Sequence, residues 1–129
     1  MNEAASSTAN PSGRQGVCPS GWHLPSNAEW TALTDFVGGS STAGVKLKST
    51  SGWNSNSNGT DEFGFSALPG GSGLSGGSFS SVGNFGNWWS ANEDSSDIAY
   101  SCFMSYISVV ANLSTSGKAL LFSVRCVKD

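Results

Sequence analysis

Positive charge is scarce in this 129-residue chain: six Lys and Arg stand against nine Asp and Glu, for a net charge of −3 and a pI near 4.9. No basic surface is therefore available to neutralise phosphates, and nucleic acid is excluded as a natural partner. Long apolar runs are missing too, with nothing approaching the roughly 18 residues that span a bilayer, so membrane insertion is not expected. The first residues, MNEAASSTANPSGRQG, lack the basic head and apolar middle of a secretion leader. Histidine occurs once, no serine sits in G-x-S-x-G, and no GK[ST] follows the glycine-rich GSGLSGGSFSSVGNFGN. Hydrolytic triads and phosphate-binding loops are set aside accordingly. No CxxC or Cys/His cluster is present, which excludes a zinc site.

Glycine (17 residues) and large rings (five Trp, seven Phe, two Tyr) are plentiful. This mixture fits one loop-rich domain with a core built from aromatics. Residues 1–15 read as a flexible tail or linker and 16–129 as the domain. Three cysteines occur, at 18, 102 and 126. A Cys18–Cys126 bridge joins the start of the domain to its end and implies an oxidising location, leaving Cys102 over.

In SNAEW, Ser26 and Glu29 stand at capping-box spacing. Trp30, Leu33 and Phe36 or Val37 then recur at helical spacing before Gly38 and Gly39, which predicts a helix of about eleven residues. A shorter helix is expected over Thr42–Lys48. FGFSALPGG reads as extended, and Ile98–Tyr106, Ile107–Leu113 and Ala119–Val127 as three strands. Helices early and strands late give an α+β fold in which the first strand pairs with the last.

His23, between Trp22 and Leu24, reads as a hydrogen-bonded framework residue rather than a general base. The acidic groups Asp61/Glu62 and Glu93/Asp94/Asp97 read as loop-capping side chains rather than Ca²⁺ ligands. Trp22, Trp30 and one of Trp88 and Trp89 are assigned to the core.

The segments CPSGWHLPSNAEWTAL (18–33), AGVKLKSTSGW (43–53), FGFSALPGG (63–71), NWWSANE (87–93) and FSVRCVKD (122–129) carry a resemblance. In this order they resemble the Fibrobacter succinogenes major paralogous domain of bacterial surface and secreted proteins. That family is similar to the formylglycine-generating enzyme group within the C-type-lectin-like fold. The resemblance implies two helices, short antiparallel strands, paired termini and a long loop region that carries ligand contacts. The enzyme group uses a cysteine pair in its active site; here Cys18 and Cys126 belong to framework motifs. The Glu-Pro-Asn and Trp-Asn-Asp patterns of lectin calcium sites do not occur in WWSANED. The resemblance therefore implies a non-catalytic domain without cofactor or metal.

Domains of this kind also resemble the variable proteins of diversity-generating retroelements, whose diversified block precedes a GFSVRCV-like strand. The corresponding positions are Ser101, Phe103, Ser105, Tyr106, Ile107, Ser108, Asn112, Thr115, Ser116, Ala119 and Leu120, with Ala99, Met104, Lys118 and Phe122 as framework. An AAC codon randomised at both adenines never yields Met, Trp, Lys, Glu or Gln, and between Ser101 and Leu121 only Met104 and Lys118 are of those types. Phe103, Tyr106, Ile107 and Leu120 are expected to face outward, and Val109, Val110, Leu121 and Phe122 inward. The function implied is recognition of a protein or glycan on another cell or host surface, from an extracellular, cell-surface or phage-tail location. A constant surface adhesin or carbohydrate-binding module, and an enzyme with formylglycine-generating-like chemistry, are the alternatives.

Overall fold

A computed structural model describes residues 6–129. Helix α1 spans Asn27–Phe36 and opens on the expected capping box: the Ser26 hydroxyl accepts the Glu29 N–H, and the Glu29 carboxylate accepts the Ser26 N–H. Such caps contribute about 1 kcal/mol. Gly38 and Gly39, at φ 112° and 101°, turn the chain where a side chain would be strained. Helix α2, Ser40–Leu47, follows at once. Strand β1, Trp22–His23, pairs antiparallel with the last strand, so the termini of the domain lie together as expected.

The main sheet is three-stranded. β4 (Phe85–Glu93), β5 (Ile98–Ser105) and β6 (Ala111–Gly117) run antiparallel in that order. A small hairpin of β2 (Ser72–Gly73) and β3 (Phe79–Ser80) precedes it, and β7 (Val127–Lys128) closes the chain against β1. The segment between β6 and β7 lies along the free edge of β4, where the Trp89 N–H donates to the Ser123 carbonyl and the Ser123 N–H to that of Asn87, both at 3.1 Å. The architecture is α+β, with both helices against one face of this sheet.

That face holds the core: Trp30 and Val37 from α1, Ala43 and Leu47 from α2, Trp53, and Trp88, Cys102, Met104 and Ala111 from the sheet. Trp30 meets Phe65 edge-on at 6.1 Å and Trp88 at 6.4 Å. A smaller cluster of Cys18, Leu24 and Ala91 packs around the Cys18–Cys126 disulfide, which closes 108 residues. The bridge agrees with the sequence reading and indicates oxidising surroundings.

Several expectations are corrected. Residues 6–15 are not a free tail: Ser7 N–H donates to the Ala91 carbonyl, Ser12 Oγ to that of Leu24, and Ser12 N–H to Glu29. Residues 1–5 of that expected tail lie outside the described residues. Phe85–Glu93 is a full strand that was not expected. The strand expected over Ile107–Leu113 begins at Ala111, because 106–110 form the turn between β5 and β6, and the strand expected over Ala119–Val127 is reduced to isolated bridges at Leu121 and Ser123 ahead of β7. Trp22 is 40% exposed, and Trp53, whose indole N–H donates to the Ala67 carbonyl, takes the core position instead.

His23 is the framework residue expected. Buried, it bridges Glu29 Oε1 at 2.5 Å and Asp129 Oδ1 at 2.7 Å, tying α1 to the chain beside β7. Ionised carboxylates only accept, so the two contacts are both satisfied when the ring is protonated and both of its nitrogens donate. The hydrogen bond to Glu29 leads in holding its pKa above the ordinary value, against the opposing effect of burial.

Candidate functional site

Strand alternation decides what the other sheet face carries. Trp88 points into the core, so its neighbour Trp89 must point away from it. Residues directly opposite in an antiparallel ladder share a face. Asn87 pairs with Phe103, and Phe103 with Asn112; Trp89 pairs with Ser101, Ser101 with Ser114, and Ala99 with Ser116. The outer face is thus a grid of Phe85, Asn87 and Trp89, then Ala99, Ser101 and Phe103, then Asn112, Ser114 and Ser116.

The aromatics of this grid are half-buried. Phe85 and Phe103 lie 5.4 Å apart, and Phe122, from the segment along β4, lies 4.5 Å from Trp89 at an interplanar angle of 31°. Beside Trp89 a cavity of about 180 Å³ is lined by Val17, Leu24, Ala99, Lys118 and Val124. Lys118 is held by an ion pair with Glu93 and by donation to the Ser96 carbonyl at 2.9 Å. Rings offering a face or edge next to amides and hydroxyls suit stacking and hydrogen bonding to a ligand.

Of the predicted site residues, the structure brings Phe103, Asn112 and Ser116 onto this face. Ser101 shares it but is only 1% exposed, on the central strand between Trp89 and Ser114, so it is not a contact position. Ser105 is likewise buried, since its hydroxyl accepts the Ile107 N–H and closes the turn. Thr115, opposite Tyr100, is exposed on the other side of the sheet. Tyr106, Ile107 and Ser108 form the β5–β6 tip; Ile107 is 78% exposed, whereas Tyr106 packs partly against the core. Ala119 is exposed and Leu120 half-buried in the turn after β6.

Val109 and Leu121, expected inside, are 52% and 48% exposed. Val109 belongs to the tip, and Leu121 bridges Gly73 at the β2–β3 hairpin, away from the helices. Val110 is half-buried, and Phe122 is not a core residue but the cover of Trp89. Ala99 and Met104 are fully packed, in keeping with their framework role.

The residues that sequence reading missed are Phe85, Asn87, Trp89 and Ser114. The signal for Trp89 was the adjacent pair in NWWSA: if one ring is in the core, the other cannot be. The left-over thiol, Cys102, is buried under the helices, and burial pushes it up to about 12, which leaves it unreactive at neutral pH. Among the described residues no group of three or more His, Cys, Asp or Glu side chains is arranged to hold a metal.

No curated protein and no solved structure is significantly similar to the chain. The sequence model of the Fibrobacter succinogenes major domain matches residues 3–128, and the chain belongs to that family.

Proposed function

We propose that the domain is a non-catalytic recognition module of C-type-lectin-like fold that binds a protein or glycan on another cell or host surface. The contact surface is the outer sheet face with the β5–β6 tip and the turn after β6: Phe103, Ile107, Asn112, Ser116, Ala119 and Leu120, with Trp89 and Phe122 as aromatic anchors. Ser108 is not among them, because its hydroxyl accepts the Val110 N–H within the tip. The observation that carries this reading is the half-exposed aromatic set on a sheet face whose β4 edge is hydrogen-bonded to the segment before β7 and whose opposite face is packed by both helices. Recognition concentrates in large rings ringed by small polar groups, because rings give contact area at little entropic cost. The Cys18–Cys126 bridge supports an extracellular setting, on a cell surface or a phage tail. The inert Cys102 weighs against formylglycine-type oxidation.

The outward positions at the end of β5, on β6 and on the turns flanking β6 are the ones a diversity-generating retroelement would vary. Sequencing sibling loci tests that part. Substitutions confined to adenine-bearing codons at 103, 107, 112, 115, 116, 119 and 120, with Cys102, Met104 and Ala111 unchanged, are the expected pattern. Differences scattered evenly over the chain would overturn it in favour of a constant adhesin.

A further inference from the structure

Lys48, directly after α2, is a buried cation with no carboxylate partner among the described residues. Its Nζ donates to the Ser105 carbonyl at 2.5 Å and the Ser108 carbonyl at 2.7 Å, and sits 4.6 Å from the centre of the Trp53 ring. Burial lowers its pKa, so the fold bears a desolvation cost here that a methionine of similar length would avoid. What the charge secures in return is the position of two carbonyls. The same helix reaches the same turn twice more. Val45 N–H donates to the Val109 carbonyl at 3.2 Å, and a Cβ on Gly44 would stand 2.5 Å from the Val110 oxygen.

All these hydrogen bonds from α2 and Lys48 end on main-chain carbonyls, which every residue type carries. Within the tip, the Ser108 hydroxyl accepts the Val110 N–H and the Ser105 hydroxyl accepts that of Ile107, so these two serines shape the turn. Ile107 and Val109 make no such bonds through their side chains. They flank a cavity of about 300 Å³ between the tip and Lys48.

We propose that Lys48 is the positioning residue of the recognition surface, holding the β5–β6 tip by its backbone so that Ile107 and Val109 set ligand specificity without altering the fold. The proposal rests on the recognition reading above. It goes further in separating, within one five-residue turn, the positions that hold the shape from those that read the ligand.

Amide hydrogen exchange on the full chain tests it. In Lys48→Met, exchange at Ile107, Ser108 and Val110 rises about tenfold or more, while the β4–β5 ladder at Trp88 and Cys102 keeps its protection. Unchanged exchange at the tip, or an equal rise everywhere, overturns the tether. Should Lys48→Met fail to fold, the wild-type background supplies the second test. Ile107→Asp and Val109→Asp keep the melting temperature within a few degrees, as surface changes do; losses as large as that of Met104→Ala overturn the proposal. Wild-type retention on a printed oligosaccharide array or a displayed peptide library that Ile107→Asp and Val109→Asp leave unmoved overturns the specificity role of those two residues, whereas no retention of the wild type at all overturns the recognition reading and leaves the tether standing.

Discussion

Trp89 and Phe122 come from different parts of the chain, yet their rings lie 4.5 Å apart on the outer sheet face. The contact exists because the segment before β7 runs beside β4, with Ser123 hydrogen-bonded to both Asn87 and Trp89. Phe122→Ala removes a half-buried ring and leaves Trp89 without its aromatic partner, at a cost of about 1–3 kcal/mol. Denaturant unfolding measures that loss, and acrylamide quenching of tryptophan fluorescence rises as Trp89 is uncovered. Unchanged quenching would mean that Phe122 does not cover Trp89.

Reduction of Cys18–Cys126 releases a loop closed across 108 residues. The chain-entropy relation gives a loss of about 4–5 kcal/mol, read as a lower denaturation midpoint in reductant. Thiol titration of the unreduced protein reports no reactive group in the native state, and Cys102 alone on unfolding. Three titrating thiols would refute the bridge.

The His23 bridge makes stability depend on pH from two sides. Its folded pKa lies above the ordinary 6.5, so its contribution is fully present below pH 6.5 and is lost as pH rises through the raised value. For Glu29, burial works upward but the hydrogen bonds from His23, Ser26 and Ser12 outweigh it and hold the carboxyl below its ordinary 4.5. Its contribution is present above pH 4.5 and lost as pH falls through the lowered value. Melting temperature is therefore highest between pH 4.5 and 6.5 as far as this pair decides, and declines on the alkaline side. In His23→Gln the alkaline decline disappears; a wild-type stability that rises above pH 6.5 contradicts the assignment.

Gly44→Ala sets two effects against each other. Alanine favours an α-helix over glycine by about 1 kcal/mol. The new Cβ, however, would meet the Val110 and Val109 carbonyl oxygens at 2.5 and 2.7 Å, and overpacking against backbone costs about 1–3 kcal/mol. The variant is less stable than the parent despite its better helix former, as thermal unfolding will show.

How far the sequence displayed this molecule depends on how local each signal is. The Ser26/Glu29 capping box and the Gly38–Gly39 stop act within one helix, and α1 lies where they place it. The pairing of β1 with β7 followed from two cysteines. Trp22, Val109 and Leu121 were misplaced, and Trp53 was left out of the core, because burial depends on what packs against a residue, which no local pattern encodes. Residues 6–15 have no hydrophobic period, yet serine hydroxyls and backbone groups dock them on β4 and α1. Within the candidate site, Phe103, Asn112 and Ser116 were legible by position in the C-terminal block. Trp89 and Phe85 were not, because β4 supplies them from outside that block and only the ladder places them beside it.

The central claim is that the outer sheet face and the β5–β6 tip bind a ligand on a scaffold that does not depend on their identity. The most direct measurement compares the wild-type domain with a variant in which Phe103, Ile107, Asn112, Ser116, Ala119 and Leu120 are exchanged for serine or alanine so that none keeps its side chain. Both are screened on the same printed oligosaccharide array and displayed peptide library. The account predicts ligands retained by the wild type and weakened about tenfold or more in the variant, which still unfolds cooperatively. Ligands held equally by both proteins would contradict it.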